Sequence, residues 1–226
     1  MPVDGLGRWR PAECLNIFFY NELTSELEWN KMNEQGIPND MSAPGLGGLC
    51  RREGRKPIIA AVNGICMGGG FEMIANCDVV LASANATFTL PEVKRGIAPV
   101  AGSLPRLARV VGLQRTMDLA LTGRTVNAQT LHNWGFISQV INEAGSQGTV
   151  VDAAVKVAEA MCCNSPDALI VARRGIRAAW ELGNVEEAVD MLAKDWYPRL
   201  MAGDNFAEGI RAFVEKRAPK WTSPKL

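Results

Sequence analysis

The sequence predicts an α/β protein whose C-terminal third is entirely helical. Two apolar runs, "PIIAAVNG" and "DVVLAS", are rich in β-branched residues and too short for helices, so they read as buried strands. A helical stretch, "GFEMIANC", separates them, which makes the order strand–helix–strand. From about Gly148 onward the pattern changes, and every segment reads as helix. At 226 residues the chain is long enough to bury one sizeable core with a helical appendage.

Residues 1–55 are irregular in pattern. "CLNIFFY" is a strand or a buried helical turn, and "SELEWNKMNEQG" is a short helix ending at Gly36. "IPNDMSAPGLGG" is a loop by its Pro, Gly, Asn and Asp content. Residues 56–145 carry the sharper signals. Pro57 and Gly64 bound the first strand, and "ATFTLPE" is a further strand closed by Pro91. "SLPRLARVVG" and "QRTMDLALTG" are helices, each closing on a glycine suited to a C-cap. "NAQTLHNWG" is a helix and "FISQVI" a strand. In residues 146–226, "TVVDAAVKVAEAMCC", "SPDALIVARRGIRAAWE", "VEEAVDMLAKDWYPRLMA" and "FAEGIRAFVEKRA" are helices. Ser165-Pro166 supplies an N-cap followed by proline at the first helical position.

Composition narrows the chemistry. Twenty-four basic residues balance twenty-four acidic ones, which removes the general electrostatic case for nucleic acid or an anionic membrane. No apolar run approaches the length of a membrane span. Cys14, Cys50, Cys66, Cys77, Cys162 and Cys163 form no C-x-x-C pair, and no signal peptide is visible, so reduced thiols in an intracellular compartment are expected. Cys66 and Cys77 read as small core residues. The single histidine, His132, argues against a Ser-His-Asp triad or a multi-histidine metal site, and reads as a surface or packing residue.

The stretch "CMGGGFEMIANCD" remains to be explained. Gly68, Gly69 and Gly70 stand between a buried strand and a helix, where each weakens regular structure. Such a junction aims backbone N–H groups into the space beyond the strand. A glycine there lets a substrate carbonyl reach an N–H directly, which is half of an oxyanion hole. Glu72 follows in the first turn of that helix. Glu92 comes twenty positions later, and a path of one strand out and one strand back can return it to the same end of the structure. Two carboxylates beside an oxyanion hole suit acid/base chemistry next to a stabilised enolate. The same residues also suit a tight turn with two solvated glutamates. The dinucleotide fingerprint G-x-G-x-x-G is not matched, because Met73 stands where its third glycine belongs.

From "KPIIAAVNGICMGGGFEMIANCDVVLAS" through "FISQVI", and again in "GDNFAEGIRAFVEKRAPKW", the chain resembles the enoyl-CoA hydratase/isomerase (crotonase) superfamily over roughly residues 56–221. The resemblance implies a spiral of β-β-α turns with a helical C-terminal oligomerisation region, in a homotrimer or hexamer. It implies a 2-enoyl-CoA substrate, no cofactor beyond the coenzyme A carried by that substrate, and no metal. By position, Gly69 would offer an oxyanion N–H, flanked by Gly68 and Gly70. Glu72 would activate a water for attack at Cβ, and Glu92 would deliver a proton to Cα. Phe213 and Lys216 match positions that contact coenzyme A. Isomerases of the family typically lack the first glutamate, so hydration is the expected activity. A double-bond isomerase, or an inactive acyl-CoA binder or oligomer partner, stands as the alternative.

Two departures accompany the match. The family's upstream small-residue/glycine motif, source of the second oxyanion N–H, is missing from "YNELTSELEWN", so residues 1–55 read as an incomplete opening of the spiral. Val100 stands where many hydratases place a glycine beside the bound water, which narrows the pocket. The terminal Pro224-Lys225-Leu226 resembles a peroxisomal address, with cytoplasmic or mitochondrial placement as the alternative. The pattern is also similar to fungal hydratases of toxin biosynthesis clusters.

Overall fold

The computed structural model describes residues 16–21, 46–50, 54–142 and 148–226. It divides into two compact units. Of the described residues, one unit holds 17–21, 46–50, 54, 58–142 and 148–154, and the other holds 16, 55–57 and 155–226. The expected helix "SELEWNKMNEQG" and the segment around "YNELTSELEWN" after Asn21 lie outside the described residues.

The first unit is built on two sheets. Strands β1 (Asn16–Asn21), β2 (Ile58–Asn63), β4 (Val79–Ser83) and β7 (Gln139–Ile141) form one, in the order β1-β2-β4-β7. Strands β3 (Ile65–Met67), β5 (Thr87–Thr89) and β6 (Val126–Asn127) form the other, in the order β3-β5-β6. "CLNIFFY" therefore contributes a strand, not a helical turn. β2 is parallel to β4, and β4 to β7. Ile58 through Val62 are all buried with no polar alternation, as in a strand covered on both faces. Asp78 anchors the start of β2: its Oδ2 accepts from the Ile58 N–H at 2.8 Å, and its N–H donates to the Ile58 carbonyl at 2.9 Å.

The chain crosses from the larger to the smaller sheet at Gly64, and again between Ser83 and Thr87. The second crossing lays β5 beside β3 and completes that strand pair. After β3 comes helix α1 (Gly69–Ile74). After β5 come a 3₁₀ turn (Glu92–Arg95), α2 (Ser103–Val110) and α3 (Leu113–Thr122). The strands β3 and β6 are too short to be separated by pattern from the glycine run and the next helix, α4 (Ala128–Asn133). Gly123 caps α3 in a left-handed conformation as expected, but α2 ends on Val111, and Gly112 instead opens α3. The expectation of a glycine C-cap on both helices is thus corrected for α2.

A cluster of three phenylalanines locks α1 to its sheet. Phe71 is fully buried and meets the rings of Phe88 and Phe136 edge-on, at 5.7 and 5.4 Å between centroids. His132 shares a 2.8 Å hydrogen bond between its Nδ1 and the Ile137 carbonyl, a packing role.

Helix α5 (Val150–Cys162) runs from the first unit into the second, whose remaining helices are α6 (Pro166–Leu182), α7 (Val185–Met191), α8 (Tyr197–Met201) and α9 (Asp204–Val214). Ser165 caps α6, with Pro166 at its first position as expected. The expected single helix "VEEAVDMLAKDWYPRLMA" is interrupted by a π segment, Leu192–Trp196. Pro198 lies two residues beyond it and has no N–H to return to an i−4 carbonyl, which accounts for the break in register. After α9 the chain folds back. Asn205 accepts from the Thr222 N–H at 2.8 Å, and its Nδ2 donates to Asp167 Oδ2 at 2.6 Å and to the Thr222 carbonyl at 3.0 Å. Among the described residues, no helix is long and apolar enough to cross a membrane.

Candidate active site

The glycine run is positioned by the parallel pairing of β3 and β5, in which Met67 faces Thr89. One residue further on, the Gly68 N–H donates to the Thr89 carbonyl at 3.1 Å. Gly68 has φ 54 and ψ −125, a conformation that only glycine enters without strain. That conformation turns the chain directly from strand into α1. Gly69 is the first residue of the helix, half-buried, and its N–H takes no partner among the described residues. Gly70 is buried behind it.

Glu72 lies in the first turn of α1, its N–H donating to the Gly68 carbonyl at 3.0 Å. It is 4% exposed. The parallel register brings Glu92 to the same end of the β3–β5 pair, three residues beyond Thr89 and at the start of the 3₁₀ turn. Glu92 is 8% exposed, and its Oε2 is buried without a hydrogen-bond partner. Burial pushes the Glu92 carboxyl up from its ordinary value. A hydrogen bond from its own backbone N–H opposes this, and the charge of Glu72 adds to the rise. The reading of two solvated surface glutamates is therefore corrected: both are buried, and they interact. The predicted route of one strand out and one strand back is refined as well. β4 and β5 belong to different sheets, and it is the β3–β5 pairing that returns Glu92.

One site residue is absent from the sequence reading. Ser103, fully buried at the start of α2, gives both of its donors to Glu72 Oε2, the backbone N–H at 3.1 Å and the Oγ–H at 3.0 Å. The only signal for it was its place at a helix start after Gly102, which suggests a capping serine. Its hydroxyl instead serves a carboxylate 31 positions away.

The other predicted residues are placed as follows. Val100 lies in the loop between the 3₁₀ turn and α2 and is 64% exposed. Cys66 is fully enclosed, and burial holds its thiol well above the ordinary range, in keeping with a packing role. Phe213 and Lys216 belong to the second unit. Phe213 is 86% exposed on α9, and Lys216 follows that helix with φ 53. The Lys225 N–H donates to Asp167 Oδ1 at 3.0 Å, its Nζ pairs with Asp204 at 2.5 Å, and the Leu226 carbonyl accepts from Arg55. Pro224 is half-buried beside them.

Comparisons with known proteins point the same way. The enoyl-CoA hydratase/isomerase family matches residues 45–224. The chain is 56% identical over 199 residues to mevalonyl-coenzyme A hydratase of Aspergillus fumigatus, covering 88% of this chain and 72% of that one. It is 46% identical over 182 residues to mevalonyl-coenzyme A hydratase of Beauveria bassiana, covering 80% of this chain and 64% of the relative's length. Among solved structures, enoyl-CoA hydratase of Mycobacterium tuberculosis H37Rv matches with a TM-score of 0.77 at 31% identity, over 86% of this chain and 75% of that one.

Proposed function

Since this chain belongs to the enoyl-CoA hydratase/isomerase family and has the crotonase fold, we propose that it adds water across the double bond of a 2-enoyl-CoA. The observation that carries the reading is the pair of buried carboxylates. One is held by two donors, and the other keeps a buried oxygen without a hydrogen-bond partner among the described residues.

Glu72, held in place by Ser103, takes a proton from water as its oxygen bonds to Cβ. The electron pair of the double bond moves to Cα and the thioester, and the developing oxyanion meets the Gly69 N–H. Glu92, with its carboxyl pushed up by burial, gives its proton to Cα. Proton exchange through water then returns both carboxyls to their starting states. No cofactor enters this scheme beyond the coenzyme A carried by the substrate.

The relatives' names suggest the substrate. Mevalonyl-CoA is a 3-hydroxyacyl thioester, and its loss of water leaves a 2-enoyl-CoA with a methyl group on C3 and a hydroxyl on C5. We take that enoyl-CoA as the substrate of this chain and mevalonyl-CoA as the product of its hydration. Coenzyme A contacts from Phe213 and Lys216, and assembly as a homotrimer or hexamer, are part of the same proposal. The exposed apolar side chains of Ile210, Phe213 and Val214 on α9 support it, and light scattering on the purified protein tests the assembly.

The deciding experiment follows the conjugated-thioester absorbance of that enoyl-CoA, with mass spectrometry of the product. Absorbance loss with a gain of one water is the expected result. In the Glu72→Gln variant hydration should collapse. If migration of the double bond persisted in that variant at the wild-type rate, and no water were gained, the protein would be an isomerase. Binding of the thioester without any turnover would identify an inactive acyl-CoA binder.

A further inference from the structure

We propose that Ser103 is the positioning residue for the hydration base, fixing the Glu72 carboxylate through its hydroxyl and backbone N–H so that Oε1 alone faces the reacting water. This rests on the hydration reading above.

The geometry behind it is specific. Both Ser103 donors converge on the same oxygen, Oε2, at 3.1 and 3.0 Å. Oε1 of Glu72 has no hydrogen-bond partner among the described residues. A carboxylate on a short helix has two oxygens that exchange by rotation about its last bond, and that bond has a broad, two-fold preference. Two donors on one oxygen remove that freedom and leave the other as the atom that accepts a proton. Ser103 can do this because it begins α2, where the backbone N–H has no partner within the helix. The helix therefore presents an otherwise orphaned donor, and the serine hydroxyl adds a charge-assisted one beside it. Ser103 is fully buried, so water does not compete for Oε2.

A misplaced base loses rate without losing substrate affinity. Displacement on the order of an ångström costs about a hundredfold in turnover. The test uses the full chain as wild type, Ser103→Ala, Ser103→Thr and Glu72→Gln. Hydration kinetics are measured on each, together with infrared spectra of the carboxylate stretch. The Glu72 band is identified as the one missing from the Glu72→Gln spectrum. Ser103→Ala is expected to lower kcat by about ten- to a hundredfold with KM unchanged, and to shift the Glu72 band. Ser103→Thr, which keeps the hydroxyl, is expected to restore both.

Wild-type kcat in Ser103→Ala, or a Glu72 band that does not move, overturns the proposal. So does a loss of kcat that tracks a fall in melting temperature and is not recovered by Ser103→Thr in folded protein. Should Ser103→Thr fail to fold, the infrared band of Ser103→Ala decides. If the wild type itself adds no water, the hydratase reading falls, and with it the base that Ser103 would serve. The infrared comparison then reports separately whether Ser103 holds the Glu72 carboxylate.

Discussion

Replacing Glu92 by glutamine is expected to separate activity from stability. The substitution keeps size and shape but removes the proton that reaches Cα. A positioned general acid is worth about 10²- to 10⁴-fold in rate, which corresponds to about 3–5 kcal/mol of transition-state stabilisation at about 1.36 kcal/mol per decade. The stability effect has the opposite sign. Burial raises the folded-state carboxyl above its ordinary value of 4.5, so ionising Glu92 opposes folding. The wild type has the full benefit of a neutral Glu92 below about pH 4.5, and loses it as pH rises through the raised folded-state value. A glutamine in its place never ionises. The Glu92→Gln variant should therefore melt at or above the wild type at about pH 7.5, with the gap narrowing towards about pH 4.5. The assays are thioester absorbance for kcat and circular-dichroism melts across that pH range. A variant with wild-type kcat would remove Glu92 from the mechanism. One that melts lower by the same amount at every pH would show that its buried carboxyl carries no ionisation cost.

Three further substitutions probe the frame of the site. Gly68→Ala forces φ 54, ψ −125 on a residue with a Cβ and should cost about 1–3 kcal/mol. At about 2–4 °C per kcal/mol for a chain of this size, calorimetry would see it, and an unchanged melting temperature would mean that the turn relaxes freely. Phe71→Ala opens a cavity between Phe88 and Phe136 and should cost about 3–5 kcal/mol in urea unfolding. It should also slow hydration, because Glu72 is the next residue on the helix that Phe71 anchors, and full activity would refute that coupling. Asn205→Ala removes the partner of Asp167 and Thr222 and should cost about 1–3 kcal/mol. Limited proteolysis should then cut the segment after Glu215 faster, and an unchanged rate would show that the Trp221 Nε1–H on the Cys163 carbonyl and the Lys225 N–H on Asp167 hold it unaided.

Sequence alone identified the buried strands β2 and β4, because a strand covered on both faces must be apolar throughout, and that is written in consecutive residues. It also placed Glu72 in the first turn of α1 and Ser165 at the cap of α6, since caps and dipoles act over one helical turn. The family itself was legible in the order of the motifs. The depth of Glu92 was not, because its burial depends on the β3–β5 pairing, and β3 is a three-residue strand too short to show a period. Ser103 could not be read at all. A side-chain hydrogen bond between residues 31 positions apart leaves no periodic trace, and a serine at a helix start has a commoner local use. What neighbouring residues do to one another is set by the sequence within a turn or a strand. Which carboxylate is desolvated, and which oxygen is tied down, was decided only when the tertiary structure brought distant segments together.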